Sequence, residues 1–291
     1  MKSTLVLLIC VLLACGNTDS PTPIIQTDPT PGFDRQNTGL LDNININEAS
    51  GLAASYANAN MLWTHNDSGD KNRIFLIDNK GIFKAEYLLE GCSNRDWEDI
   101  ASLTTPEGNF VYVSETGDNN AIYGNYLIYR TKEPKLGQNP ATIPSKDIDK
   151  IRFRYEDGNH DAECLMIDPQ TKDLYIITKR EAKSRVYQLP YPQSFTEENV
   201  AKFISELPFN YVTAGDISAD GKQILIKNYA QVYYWQRTAG QSIAQILKQD
   251  PESLPYLVET QGEAICWTSN SLNYYTTTEG YYPPLYFYQR K

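Results

Sequence analysis

The stretch Asp96-Trp97-Glu98-Asp99-Ile100-Ala101-Ser102-Leu103 decides how this chain is read. It sets out a carboxylate, one further residue, an aliphatic residue, a small residue and then a short apolar run. The imprint returns at Ser50-Gly51-Leu52-Ala53, Glu163-Cys164-Leu165-Met166, Gly215-Asp216-Ile217-Ser218 and Glu263-Ala264-Ile265-Cys266, with successive starts 48, 65, 52 and 48 residues apart. A period of about fifty residues in a chain of strand formers is the signature of a radial repeat.

Working outward, each imprint is followed by a turn and a second apolar run: Met61–Thr64, Phe110–Val113, Leu174–Ile177, Ile224–Ile226 and Leu272–Tyr275. Third runs follow at Ile74–Ile77, Tyr126–Tyr129, Val186–Leu189, Val232–Trp235 and Leu285–Tyr288. Fourth strands are expected at Ala85–Leu89, Lys150–Arg154 and Lys202–Ser205. Turn chemistry supports tight hairpins at Pro106-Glu107-Gly108-Asn109 and Ala219-Asp220-Gly221-Lys222. The fifth unit ends after its third strand, and the alternating segment Leu41–Asn47 is available to complete it. The fold expected is therefore all-β, a five-bladed β-propeller over 39–291 whose ring is closed by an N-terminal strand. A six-bladed ring is the alternative if the long second unit, 98–157, hides another blade. Short helices are expected only within Phe195–Phe203 and Gln241–Gln249.

The 291 residues, 41% of them hydrophobic, suffice for one large domain, and the 21 tyrosines favour strands. Net charge is −10. An acidic body of this kind is a poor match for nucleic acid or an anionic membrane surface, and it is compatible with cation binding. A monomer is expected. Residues 1–14 have a basic start and a short apolar core, and Leu12-Leu13-Ala14-Cys15-Gly16 resembles the bacterial lipoprotein signal. That resemblance implies cleavage before Cys15, lipid on Cys15 and attachment to the cell envelope through lipid alone. Cleavage removes one lysine and no acid, which takes the charge from −10 to −11. The Pro-, Thr- and Asp-rich stretch to residue 38 reads as a flexible tether. Cys92, Cys164 and Cys266 remain, with no spacing that suggests a disulfide framework or a zinc site.

In a propeller the first strand of each blade lines the central channel, so Ser50, Glu98, Glu163 and Glu263 should converge near the axis. Glu48, Asp96, Asp161, Thr213 and Gln261 lie two residues earlier and should ring the channel mouth. Carboxylates ~5 Å apart at an effective dielectric of 20 repel by about 3 kcal/mol per pair. Protons, backbone amides or a cation must offset this. An oxygen-only donor set suits Ca²⁺. Loops after the second strands open on the same face. They bring His65, Asn66 and Asp67, then Glu115, Asp118 and Asn119, then Lys179 and Arg180, and finally Lys227. The cations could hold a small anionic ligand. Asp67, Asp96 or Glu115 could position or deprotonate water, and His160 could act as a base.

The column Ser50, Glu98, Glu163 and Glu263 resembles the axial calcium ligands of the calcium-activated nucleotidase (apyrase) family of five-bladed propellers. Leu62-Trp63-Thr64-His65-Asn66-Asp67, the Lys179-Arg180 pair and Lys227 resemble that family's rim. The likeness implies calcium-supported hydrolysis of nucleoside di- and triphosphates. It departs at the fourth blade, where Gly215 stands at a ligand position and Asp216 or Thr213 would have to serve. The chain also resembles a group of bacterial propeller lipoproteins that carry motifs such as Asn66-Asp67-Ser68-Gly69-Asp70 and Asp96-Trp97-Glu98-Asp99-Ile100-Ala101, and that likeness implies no activity. Two functions follow as expectations: a Ca²⁺-dependent hydrolase of a phosphorylated or otherwise anionic small substrate, and a non-enzymatic binding or scaffold propeller with a structural cation.

Overall fold

The structure, a computed structural model, describes residues 32–291. The signal segment, Cys15 and the first part of the expected tether lie outside the described residues.

The chain is all-β. Strand β1 (Phe33–Leu40) comes first, then a meander of β2 (Ala49–Ala54), β3 (Met61–Asn66), β4 (Arg73–Asp78) and β5 (Phe83–Leu89). The second unit has β6 (Trp97–Thr105), β7 (Gly108–Glu115) and β8 (Tyr126–Lys132). The two-residue β9 (Thr142–Ile143) leaves this unit to pair in parallel with β5, and β10 (Ile148–Tyr155) completes it. The third unit is β11 (Ala162–Ile167), β12 (Leu174–Thr178), β13 (Arg185–Leu189) and β14 (Asn199–Glu206). The fourth is β15 (Val212–Ile217), β16 (Gln223–Asn228), β17 (Val232–Gln236) and β18 (Glu252–Leu254), and the last contains β19 (Ala264–Trp267), β20 (Tyr274–Thr277) and β21 (Pro284–Arg290). The outer strands β10 and β14 pair in parallel and merge the second and third units into one eight-stranded sheet.

The inner strands β2, β6, β11, β15 and β19 pack in succession, and β19 packs on β2. Between neighbouring units lie wedges of buried side chains. Trp63, Ile100 and Val113 share one, Leu165, Ile176 and Phe153 the next, and Ile177, Ile226 and Trp235 another. Leu225, Trp267 and Tyr274 fill a fourth, and Leu62, Phe75 and Cys266 a fifth. Strands covered on both faces read as continuous apolar runs, and β2 and β11 are buried at every position. The outer strand β10 exposes alternate residues at Arg152 and Arg154, and β14 exposes Lys202, Phe203 and Glu206.

Several elements differ from the sequence reading. The strand that pairs with β21 is Phe33–Leu40, not Leu41–Asn47, so residues 33–38 are strand and not tether. Segment 41–47 is a turn: the Asn45 amide donates to Asn43 Oδ1 at 3.0 Å, and Leu41 and Ile46 are buried as plugs. The alternation of Ile44 and Ile46 with asparagines mimics a strand. The strand β20 starts at Tyr274, beyond Leu272 and Asn273. Residues 195–203 hold no helix and instead lead into β14. The second expected helix shrinks to α1 (Ile243–Ile246), with a capping box at Ser242 and Gln245. A 3₁₀ turn at Ser145–Asp147 had no clear sequence signal. Among the described residues, no helix is long and apolar enough to cross a membrane, and Cys92, Cys164 and Cys266 are free thiols.

Phe33 anchors β1. Its ring is buried, lies 5.1 Å from that of Tyr274 and carries the Arg290 guanidinium at 5.1 Å. Phe33→Ala should cost about 3 kcal/mol in urea unfolding, the usual cost of emptying a buried aromatic site. A loss below about 1 kcal/mol would mean that β1 adds little to the last sheet.

Candidate functional site

The site begins with a backbone irregularity. The antiparallel ladders skip one residue at the start of four inner strands: Ser50 in β2, Glu98 in β6, Glu163 in β11 and Thr213 in β15. A bulge of this kind adds an unpaired residue and re-aims its side chain. In β19 the ladder starts at Ala264, and Glu263 lies just before it. The bulges correct the sequence register. In the fourth unit the equivalent of Glu98 is Thr213, not Gly215 or Asp216. Thr213 Oγ1 donates to the Gly262 carbonyl at 3.1 Å, much as Ser50 Oγ donates to the Glu98 carbonyl at 2.8 Å. These two hydroxyls tie neighbouring inner strands together.

Asp216 is removed from the predicted ligand set. Its Oδ2 accepts from the Trp267 amide at 2.8 Å, and burial pushes its carboxyl up to about 7. Asp99 does the same work between β6 and β11, accepting from the Leu165 amide at 2.9 Å. These carboxylates supply hydrogen bonds between strands of different units.

Two inner strands, β6 and β11, and three loop residues build an acidic cluster. Asp67, Asp96 and Glu98 offer oxygens all within 4.8 Å of one another, and so do Glu98, Asp161 and Glu163. Glu98 belongs to both groups and is only 4% exposed. The charges acting on it are those of Glu163, Asp67, Asp96 and Asp161, all of its own sign, so burial and repulsion hold its carboxyl well above the usual range. The loop after β7 closes over this cluster at Gly117. A Cβ there would lie 2.1 Å from Glu98 Oε1 and 2.4 Å from Asp96 Oδ2, so any larger residue would have to displace these carboxylates.

The predicted cations do not face an open mouth. Lys179 Nζ donates to Glu163 Oε2 and lies 3.9 Å from Glu263 Oε1, and these two acids hold it firmly protonated. Tyr229 donates to Glu263 Oε1 at 2.6 Å. Arg180 pairs with Asp161 and donates to Asn119. Lys227 is fully buried. Its ammonium donates to the Gly262 carbonyl and sits 4.9 Å from the Tyr256 ring centre, and burial lowers it to about 8. Each of the three cations is already engaged.

Other predicted site residues turn out to brace loops. Glu115 accepts from the Arg95 amide at 2.7 Å, from Ser93 Oγ at 2.9 Å and from Tyr129 at 2.6 Å. Asp118 accepts from the Ile122 and Tyr123 amides at 2.8 Å and from Tyr126 at 2.9 Å. Asn66 donates to the Asn45 carbonyl at 2.6 Å and to Asp70 at 2.9 Å. His65 is fully buried against Trp97. Burial pushes it down to about 4, so it is a neutral core ring and not a rim ligand. His160 is held between Glu181 at 2.7 Å and Asp157 at 3.1 Å, with Tyr187 at 2.8 Å, which occupies the ring nitrogens a base would need.

Asp67 and Asp96 alone keep a place in the cluster among the predicted proton-handling groups. Asp161 joins them, and its sequence signal was its position two residues before an imprint. Glu279, on the loop after β20, is not among the expected site residues. Burial and the charges of Glu263, Asp67 and Glu48 raise it to about 7. Asp67 is raised to about 6 by burial and by Asp96, Glu263 and Glu48, against the pull of the Ser68 amide.

These shifts set a pH dependence. Asp67 and Glu279 have folded values above the ordinary 3.8 and 4.5, so the folded chain keeps protons that the unfolded chain has lost. Their stabilisation is complete below pH about 4 and disappears as pH rises through about 6 to 7. His65 acts in the opposite sense: its contribution is full above about 6.5 and is lost as pH falls toward about 4. A cation bound at the cluster would displace the carboxyl protons. The rise in Tm on adding calcium should therefore be larger at pH 7.5 than at pH 5 in a thermal-shift titration against chelator. An equal rise at the two pH values would separate the cluster from calcium.

No family model matches the chain, and no curated protein matches it. Among solved structures, a gluconolactonase from Xanthomonas campestris is similar, with a TM-score of 0.54 over 91% of this chain and 96% of that one, at 8% identity. At that identity the likeness is one of fold, and it places this chain among the β-propellers.

Proposed function

We propose that the chain is a five-bladed propeller, its last blade completed by β1, that holds Ca²⁺ at the Glu98 cluster and hydrolyses a small, oxygen-rich substrate there. The ring of inner strands, each packed on the next, supports the blade count. The long second unit yields only the two-residue β9 beyond its own four strands, which speaks against a sixth blade.

The observation that carries the functional reading is the crowding of like charge at Glu98. Among the described residues, Asp67, Asp96 and Glu98 form no ion pair with a lysine, arginine or histidine, whereas Asp161 and Glu163 are paired to Arg180 and Lys179. Carboxylate oxygens alone, in an irregular array, fit a hard cation that tolerates varied geometry. Such a cation, when bound, supplies polarisation of an ester or phosphate oxygen or of the attacking water. The chain's own groups do the rest. Asp67, half-buried and raised to about 6, can accept a proton from water at neutral pH. Lys179 fixes the distance between Glu163 and Glu263, and Gly117 keeps the loop from filling the cluster.

A hydrolase of similar fold is compatible with this reading, although fold alone carries no chemistry. The engaged state of Lys179, Arg180 and Lys227 weakens the nucleotide reading, because those cations were to hold the phosphates. A second reading, a binding or scaffold propeller with a purely structural cation, is favoured by the internal pairing of Glu163 and Asp161.

Calorimetric titration with calcium should show one tight site, weakened at least about tenfold in Glu98→Gln. A panel of sugar lactones, sugar phosphates and nucleotides, assayed with calcium and with chelator, then separates the readings. Calcium-dependent turnover lost in Glu98→Gln supports the hydrolase. Calcium uptake without turnover on any of them supports the structural role, and no calcium uptake removes both.

We also propose attachment to the bacterial envelope through lipid on Cys15, on the strength of the Leu12-Leu13-Ala14-Cys15 signal. Cys15→Ser should move the protein from the membrane fraction to the soluble fraction of lysed cells. Continued membrane association would rule the lipid anchor out.

A further inference from the structure

Beside the acidic mouth lies a second, open cleft of about 470 Å³. It is lined by Ile44, Asn45, Asn47, Glu48, Asp70 and Tyr281, with Arg73 at its base. Glu48 joins it to the cluster: its carbonyl accepts from the Asp67 amide at 2.9 Å, and its charge acts on Asp67 and Glu279. The far wall follows directly from Glu279, since the Gly280 amide donates to the Asn47 carbonyl at 2.8 Å and Tyr281 comes next in the chain.

We infer that this cleft is a subsite for a neutral polyhydroxylated ligand, a sugar ring or polyol, stacked on Tyr281. Charge excludes the anionic alternative. The cleft's one cation, Arg73, already makes two hydrogen bonds to Asp70 (2.8 and 2.9 Å) and one to Glu86 (2.9 Å). The remaining charged wall, Glu48, is negative and would repel a phosphate or carboxylate. The cleft presents both halves of what a sugar needs. Tyr281 is 69% exposed and Ile44 57%, an apolar face for the C–H side of a ring. The Asn47 side-chain NH2 and the Glu48 carboxylate on its wall offer a donor and an acceptor for hydroxyl groups. Gly69 lies on the cleft wall in the left-handed region, at φ 87°, with nothing within 4 Å of where a Cβ would be, so the entrance stays open there.

This subsite names the substrate class of the proposed hydrolase and rests on that reading for its purpose, but binding in the cleft does not need the cation cluster. Saturation-transfer NMR on the full folded domain with methyl β-glucopyranoside, sorbitol and glucose 6-phosphate tests it. The neutral compounds should bind saturably and the phosphate at least about fivefold more weakly. Tyr281→Ala should weaken the neutral ligands at least about tenfold, and Tyr281→Phe should keep them within about twofold. Glu98→Gln should leave this binding intact even if it abolishes calcium uptake and turnover, so a failed catalytic reading would not mask a real subsite. Absence of saturable binding by either neutral compound, stronger binding of the phosphate, or binding indifferent to Tyr281→Ala would each overturn the subsite.

Discussion

Repulsion among carboxylates forced together at the entry of the inner strands is the constraint from which the rest of this molecule's site follows. A bulge at Glu98 and another at Glu163 turn two acids out of their ladders and toward the same place. Asp67, Asp96 and Asp161 join them from loops. The fold relieves part of the strain itself, through Lys179 on Glu163 and Arg180 on Asp161. Among the described residues it gives Asp67, Asp96 and Glu98 no such ion pair, so burial and mutual repulsion favour their protonated forms.

The same bulge position is used differently around the ring. Where it carries Ser50 or Thr213, the hydroxyl bonds a carbonyl of the next unit and contributes to ring closure. Where it carries an acid, the side chain turns into the cluster instead, Glu163 paired to Lys179 and Glu98 among like charges. One residue further on, Asp99 accepts amide protons from the neighbouring strand, and Asp216 does so from another position. Thus a column of polar residues along one strand family divides into groups that hold the ring and groups that face its mouth. The inner strands do not pair with one another in ladders, so these side-chain bridges, with that of Ser102 Oγ to the Ala54 carbonyl at 2.6 Å, link units that share no backbone pairing there.

The cations sit where they neutralise and not where they would recruit. Lys227 lies wholly inside, over Tyr256 and against the Gly262 carbonyl, and Lys179 spans two acids. With these groups engaged and no ion pair for Glu48 among the described residues, the face keeps an acidic character that admits cations and neutral molecules more readily than anions.

The periodic imprint and its apolar runs were enough to establish an all-β radial repeat, because a strand buried on both faces must be apolar along its whole length, and that pattern survives in one dimension. The convergence of Glu98, Glu163 and Asp96 could be argued from period and parity alone. The fourth register could not. Gly215 replaces the aliphatic residue of the other copies because a Cβ would meet Leu225 O of its own unit at 2.8 Å and Cys164 Sγ of the third unit at 2.9 Å, and the second contact crosses between units. The pattern therefore slid by two residues and promoted Asp216 over Thr213. Likewise His65, Glu115, Asp118 and His160 are ordinary site residues by type, and their commitment to neighbours far along the chain or to the core was invisible until the strands were brought together. Composition and period report what a residue is and how often it recurs, but only packing determines whether its polar atoms are already spent on a partner.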